Sequence, residues 1–201
     1  MDWKHKLLHT LSYILHGEPP ITKANIVSLS PNQLLQNRCA IITGGTSGIG
    51  YAIAKSFLQA GAIVIITGRS QQRIDKACSE LSIYGSVLGY VLDNTQVSSF
   101  DNALTDIRNM VSDKAKCIDI LVNNAGIGTG LPIPNTTETD WDATMDTNLK
   151  GTYFLSQSFG KYLKDNKIHG NILNITSSSC LRFGTTPYVI SKWGIRSLTL
   201  G

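Results

Sequence analysis

The chain has 201 residues, 42% hydrophobic and 16% charged, and its 18 basic and 14 acidic residues leave a formal net charge of +4. That is length and apolar content for one globular domain with a sizeable core. No apolar run reaches the roughly 18 residues of a membrane-spanning helix, and the dispersed basic residues argue against a nucleic-acid-binding stripe.

Leu7, Leu8, Leu11, Ile14 and Leu15 recur at helical spacing, which predicts a short amphipathic helix over residues 2–16, ended by Gly17 and the Pro19-Pro20 pair. His9, Ser12 and His16 interrupt it and no small-residue cleavage site follows, so it does not read as a signal peptide. His5, His9 and His16 could be metal ligands, but a packing helix or partner-binding arm is the favoured reading. Residues 17–37 are polar and poorly periodic and read as a linker. The division drawn is residues 1–35 as N-terminal helix and linker and 36–201 as the main domain.

From Arg38 apolar strands alternate with helical stretches. Strands are predicted at 39–43, 63–67, 86–92, 118–123 and 171–176. Helices are predicted at 49–60, 70–84, 96–113, 138–165 and from about Pro187. A long loop passes through Pro132 and Pro134, and a serine-rich loop follows the fifth strand. Such alternation predicts an α/β fold, a doubly wound parallel sheet with helices on both faces. Lys161, Lys164 and Lys167 fit a solvated helix face better than a nucleic-acid patch. Cys39, Cys78, Cys117 and Cys180 form no C-x-x-C pair and read as reduced thiols of a cytoplasmic protein, with no metal site expected.

Two motifs carry chemistry. Residues 43–50 read TGGTSGIG between a strand and a helix. Gly44 permits a tight turn, Gly48 lets backbone approach a pyrophosphate, Gly50 allows close packing, and the helix N-terminus favours phosphate. Far downstream, Tyr188 and Lys192 stand four residues apart, on one helix face. A tyrosine of unperturbed pKa about 10 is a poor proton donor near pH 7, and an adjacent ammonium favours its phenolate. That pairing suits carbonyl–alcohol redox chemistry.

The glycine turn, NNAG at 123–126, Asn148, the serines from 177 and YVISK at 188–192 together resemble the short-chain dehydrogenase/reductases over residues 36–201. The resemblance implies a Rossmann-like, three-layer α/β/α domain with Gly44, Thr46, Ser47, Gly48, Ile49 and Gly50 holding the cofactor. It implies that Asp93 contacts adenine with Asn94 nearby; capping of the following helix is an alternative or concurrent role. Asn123 would steady the sheet and line the cleft, with Ala125 and Gly126 allowing close approach. In NAD enzymes an acidic residue ends the second strand; here Gly68 stands there and Arg69 follows. This favours NADP(H) over NAD(H), with a solvated Arg69 as the alternative.

The resemblance also implies a catalytic set. Tyr188 would exchange a proton with the substrate oxygen. Lys192 would lower its pKa and hold the nicotinamide ribose. Ser177, or less favoured Ser178, would stabilise the substrate oxygen, and Asn148 would organise a water leading to Lys192. Ile127, Cys180, Leu181, Arg182 and Phe183 are substrate-pocket candidates. The expected activity is hydride transfer between NADP(H) and a carbonyl or secondary-alcohol substrate, in a homo-oligomer when full length, with no membrane or nucleic-acid partner. Family members continue past the Tyr188 helix into further strands and a substrate-covering segment, so the chain is expected to be a fragment cut short there. The competing expectation is a non-catalytic nucleotide-binding sensor, structural subunit or inactive fragment.

Overall fold

Cys39–Thr43 and Ile63–Gly68 are runs of apolar, largely β-branched residues, and both become strands (β1 and β2) buried across their middles on both faces. In the computed structural model the described residues are Trp3, 30–128 and 131–201. The helix expected over 2–16 and the first part of the linker lie outside them, Trp3 apart. Residues 30–37 are described and do not run free. Pro31–Gln33 forms a 3-10 turn, the Leu35 N–H donates to Ala60 O at 2.8 Å, and the Leu35 side chain packs on the core.

Three more strands, β3 (Val87–Val91), β4 (Ile120–Asn123) and β5 (Asn171–Asn174), complete a sheet of five in the order β3-β2-β1-β4-β5. Every pairing is parallel, with Ile41 opposite both Ile65 and Leu121. Side chains alternate across the pleat. Cys39, Ile41, Ile65 and Leu121 face one core with Phe100, Ile107, Leu155 and Phe159. Ala40, Ile42, Val64, Ile66 and Val122 face the other with Ala54, Leu58, Ala77 and Leu81.

The helices are α1 (Gly48–Gln59), α2 (Gln71–Leu81), α3 (Phe100–Met110), α4 (Glu138–Met145), α5 (Gly151–Asp165) and α6 (Pro187–Leu200). Helices α1 and α2 cover one face, and α3 and α5 the other. This is the expected three-layer, doubly wound architecture. Helix α6 packs against α4 and the turn that follows it. None of the described helices is long and apolar enough to cross a membrane.

Strands β3, β4 and β5 are shorter than the expected 86–92, 118–123 and 171–176, and three helical stretches differ as well. Residues 70–84 end as a helix at Leu81 and tighten into a 3-10 turn at Ser82–Tyr84. Residues 96–113 begin as a 3-10 turn at Val97–Ser99 and finish at Met110. The stretch 138–165 is not one regular helix: Asp146–Lys150 widens into a π-helical turn between α4 and α5. A mid-helix π turn places an extra residue on one face and often accompanies a functional site.

Candidate active site

Strand order reverses beside β1, where β2 lies on one side and β4 on the other. Carboxyl ends of strands diverge at such a point and leave a crevice. A cavity of about 740 Å³ opens there, and Gly44, Gly68, Asp93, Asn124 and Ile175, each ending or following a different strand, border it.

The turn after β1 is built by its glycines and by two polar residues. Gly44 and Gly48 have φ of 65° and 57°, values that only glycine adopts without strain. A Cβ on Gly48 would meet no atom within 4 Å, whereas one on Gly50 would lie 2.4 Å from Asn124 Nδ2 and 2.5 Å from Gly44 O. Gly50 therefore serves the close approach of α1 to the turn and to Asn124. Buried Thr43 accepts the N–H groups of Asn124 and Ala125 on its hydroxyl, each at 3.0 Å. Asn124 donates back to the carbonyls of Thr43 and Gly44 at 2.9 and 3.2 Å. These bonds lock the glycine turn to the end of β4.

Of the expected cofactor residues, Gly44, Thr46, Ser47, Ile49, Arg69, Asp93, Asn94, Ala125, Gly126, Tyr188 and Lys192 all border the one cavity. Gly48 borders a neighbouring cleft. Asn123 does not border the cavity. Its Nδ2 donates to Ser156 and to Asn174, both at 2.9 Å, tying β4 to β5 and α5, so of its two expected roles the bracing one matches its position. Its neighbour Asn124 takes the cavity position instead. Asp93 Oδ1 accepts the N–H and hydroxyl of Thr95 at 2.9 Å each. That bond closes a local turn; the residue at the cap of the following 3-10 turn is Gln96, so neither Asp93 nor Asn94 caps it. Buried Asn94 leaves Nδ2 without a hydrogen-bond partner.

Thr186 caps α6, accepting the Val189 N–H at 3.2 Å, and Pro187 fits its first turn. Tyr188 and Lys192 follow on that helix. Lys192 is 5% exposed and donates to Ile175 O at 2.8 Å, with Nζ 5.7 Å from the Tyr188 ring centre. Burial lowers the Lys192 pKa from its ordinary 10.5, because desolvation disfavours the charged form.

Asn148 sits in the π turn, fully buried and behind the cavity wall. Its Oδ1 accepts the Ile127 N–H at 2.8 Å, and its Nδ2 donates to Ile127 O at 2.9 Å and to Ser191 Oγ at 3.2 Å. The Ser191 hydroxyl in turn donates to Tyr188 O at 2.7 Å. A connected path thus joins the loop after β4 to the start of α6. Gly126 lies between: a Cβ there would stand 3.3 Å from Asn148 Oδ1 and 3.7 Å from Lys192 Nζ. Ser177 caps a 3-10 turn over Ser178–Leu181, accepting the Ser179 N–H at 3.1 Å, and is not among the cavity-lining residues. Ser178 is exposed. Among the substrate-pocket candidates Ile127 borders the cavity, Cys180 is buried, and Leu181 and Phe183 are exposed.

The sequence reading missed Thr43, Asn124 and Ser191. Asn124 stands inside the NNAG motif and Ser191 inside YVISK, which are the signals that could have found them. Thr43 opens the TGGTSGIG motif, which is its signal.

The short chain dehydrogenase family model matches residues 38–201, and the chain belongs to that family. It is 37% identical over 167 residues to the (2S)-[(R)-hydroxy(phenyl)methyl]succinyl-CoA dehydrogenase subunit BbsD of Thauera aromatica, covering 82% of this chain and 65% of that protein. It is 32% identical over 164 residues to gluconate 5-dehydrogenase of Gluconobacter oxydans, covering 81% and 62%. A short chain dehydrogenase structure from Mycobacterium smegmatis superposes with a TM-score of 0.78 at 25% identity, covering 88% of this chain and 74% of that one. The chain thus spans less than two thirds of the length of these two curated relatives.

Proposed function

We propose that the protein is an NADP(H)-dependent oxidoreductase that interconverts a carbonyl and a secondary alcohol, with Tyr188 as general acid and base. The observation that carries this reading is the single cavity bordered by the glycine turn and Arg69 and also by Tyr188 and Lys192. The names of the two relatives, both dehydrogenases, support the reaction class and leave this chain's substrate open.

The residues fit a dinucleotide. A volume near 740 Å³ lies within the usual range of ligand pockets. The space beside Gly48 is clear for a close backbone approach. A Cβ at position 68 would stand 3.2 Å from Thr46 Cγ2, so the acidic side chain that holds a 2′-hydroxyl in NAD enzymes has tight quarters there. Arg69 offers a fork of donors to a 2′-phosphate instead. Bound there, the coenzyme supplies or takes up the hydride.

The chain's own residues move and hold the proton. In reduction the Tyr188 hydroxyl gives its proton to the substrate oxygen; in oxidation its phenolate takes one. Lys192 favours that phenolate electrostatically and holds the ribose hydroxyls. Ser177 directly follows the cavity-lining Thr176, and the hydroxyl hydrogen that its bond from Ser179 leaves free is the donor to the substrate oxygen as negative charge gathers there. Asn148 fixes the Ile127 backbone and organises a water that returns protons toward Lys192. Asp93 and Asn94 hold the adenine side. The exposed Tyr153, Ile190 and Trp193 on α5 and α6 are apolar surface that a homo-oligomer would cover, and the four free cysteines support a reducing, cytoplasmic setting.

The test is Tyr188→Phe. NADPH consumption against a panel of small ketones and aldehydes is expected to fall by about 10²–10⁴-fold, the usual worth of a general acid, while NADPH binding persists. Undiminished turnover would remove Tyr188 from the chemistry.

A further inference from the structure

The carboxylates on α2 and after β3 accept hydrogen bonds from neutral donors. Asp75 Oδ1 accepts from Gln71 Nε2 at 2.7 Å and Glu80 Oε2 from the Tyr51 hydroxyl at 3.3 Å. Asp93, which borders the cavity, has Oδ1 taken by Thr95. Arg69 and Arg73 enter no ion pair; among the described residues the ion pairs are Arg38–Asp119 and Lys150–Asp146. Two exposed guanidinium groups with uncompensated charge border the same cavity.

Local sequence puts them there. Ser70 caps α2 by accepting the Arg73 N–H at 3.4 Å. Arg73 therefore stands in the first helical turn, four residues from Arg69, where the free N–H groups of the helix start add positive potential. Arg73 also borders a second cleft of about 380 Å³ between the start of α1 and one side of α2, shared with Ser47, Tyr51, Lys76 and Glu80. It occupies the wall between two open spaces. Its side chain is exposed and borders both.

We infer that Arg73 is the second arm of a two-arginine clamp on the coenzyme's 2′-phosphate, with Arg69 the first, and that it sets selectivity for the phosphorylated dinucleotide. This rests on the NADP(H) reading above. A phosphate monoester carries about −1.5 to −2 charges near neutral pH. A single exposed guanidinium leaves that charge partly uncompensated and screened by salt. Two planar forks approaching from different elements, the loop after β2 and the first turn of α2, compensate it and fix its direction. Lys76 borders only the second cleft and stands outside the clamp.

The test is equilibrium binding by calorimetry of adenosine 2′,5′-bisphosphate, NADP⁺ and NAD⁺ to the wild-type chain and to Arg69→Gln, Arg73→Gln, Arg73→Lys and Lys76→Gln. The bisphosphate lacks the nicotinamide half, so it reads the adenine end by itself. Arg69→Gln and Arg73→Gln are each expected to weaken the bisphosphate and NADP⁺ by about tenfold or more, the loss of a charge-assisted bidentate contact. Arg73→Lys should fall between, because an ammonium keeps the charge and loses the fork. NAD⁺ affinity and the Lys76→Gln protein should stay within about twofold of wild type. Circular dichroism confirms the fold of each variant. Wild-type affinity in Arg73→Gln alongside a loss in Arg69→Gln overturns the clamp and leaves the NADP(H) reading standing. A loss in Lys76→Gln equal to that in Arg73→Gln overturns it by making the effect one of general surface charge. A wild-type chain that binds NAD⁺ as well as NADP⁺, or neither, overturns both.

Discussion

Lys192 is a cation taken out of water, 5% exposed, with one backbone carbonyl as its hydrogen-bond acceptor. Its pKa is lowered from 10.5 by desolvation. Between the lowered value and 10.5 the unfolded chain binds more protons than the folded one, so stability rises with pH across that interval. Below the interval the buried charge is carried at full cost. Lys192→Met, which keeps the length and drops the charge, is therefore expected to raise the melting temperature at pH 7. The gain should shrink as pH approaches 10.5, and paired thermal melts across that range check it; a gain that widens with pH would contradict the burial argument. The same variant should lose turnover, because the proposed phenolate then has no cation beside it. Asn148 makes the complementary case. It satisfies both backbone groups of Ile127, and Asn148→Leu would leave that part-buried N–H and C=O without their partner. A loss of about 1–3 kcal/mol in urea unfolding is expected.

At the scale of elements, the glycine turn separates folding from binding. Gly48→Ala meets no atom, but places a side chain at φ 57° beside the second cleft. It is expected to cost about 1 kcal/mol of stability and to weaken coenzyme binding more than it weakens the fold. Gly50→Ala drives a methyl group onto Gly44 O and Asn124 Nδ2, and should cost about 1–3 kcal/mol. Denaturant melts beside binding titrations of the two variants check the contrast. The same elements show what was legible in the sequence. The strands read well because Ile63–Thr67 and Cys39–Thr43 are unbroken apolar runs whose length and breaks leave one interpretation. The glycine turn and the Tyr188–Lys192 pair read well because spacing alone places them on a turn and on one helix face. The π turn at Asp146–Lys150 did not, since widening by one residue leaves the apolar periodicity nearly intact. Nor did the bond from Asn148 to Ile127, which joins residues 21 apart through side-chain geometry. The motif as a whole implies two roles for Asn123, bracing the sheet and lining the cleft, and only the bracing role matches its position. Which of two adjacent asparagines turns inward is decided by the strand pleat and by Thr43, which opens the glycine motif but whose hydroxyl bonds to residues 81 and 82 positions away are invisible in it.

Across the whole molecule, stability is set by how each strand is covered. Strands β1 and β4 are buried throughout, and β2 across its middle, between helices on both faces; β5 alternates exposed and half-buried residues at the sheet edge and β3 is only half-buried. Local opening is easiest where apolar contacts are fewest. Amide exchange is expected to be slowest in β1, β2 and β4 and faster by orders of magnitude in β5, as mass spectrometry of exchanged peptides can read. Uniform protection across the sheet would contradict this ordering. The coverage also explains why the cavity is where it is. The buried strands hold their carboxyl ends rigidly, and the turns leaving those ends supply the residues that line it.

The most direct test of the central claim is a crystal structure of the chain with NADP⁺. The dinucleotide is expected in the cavity at the carboxyl ends of the strands, with its pyrophosphate on the glycine turn, its 2′-phosphate at Arg69, and its nicotinamide ribose within hydrogen-bond reach of Tyr188 and Lys192. An empty cavity at saturating NADP⁺, or a nicotinamide end turned away from Tyr188, would contradict the account.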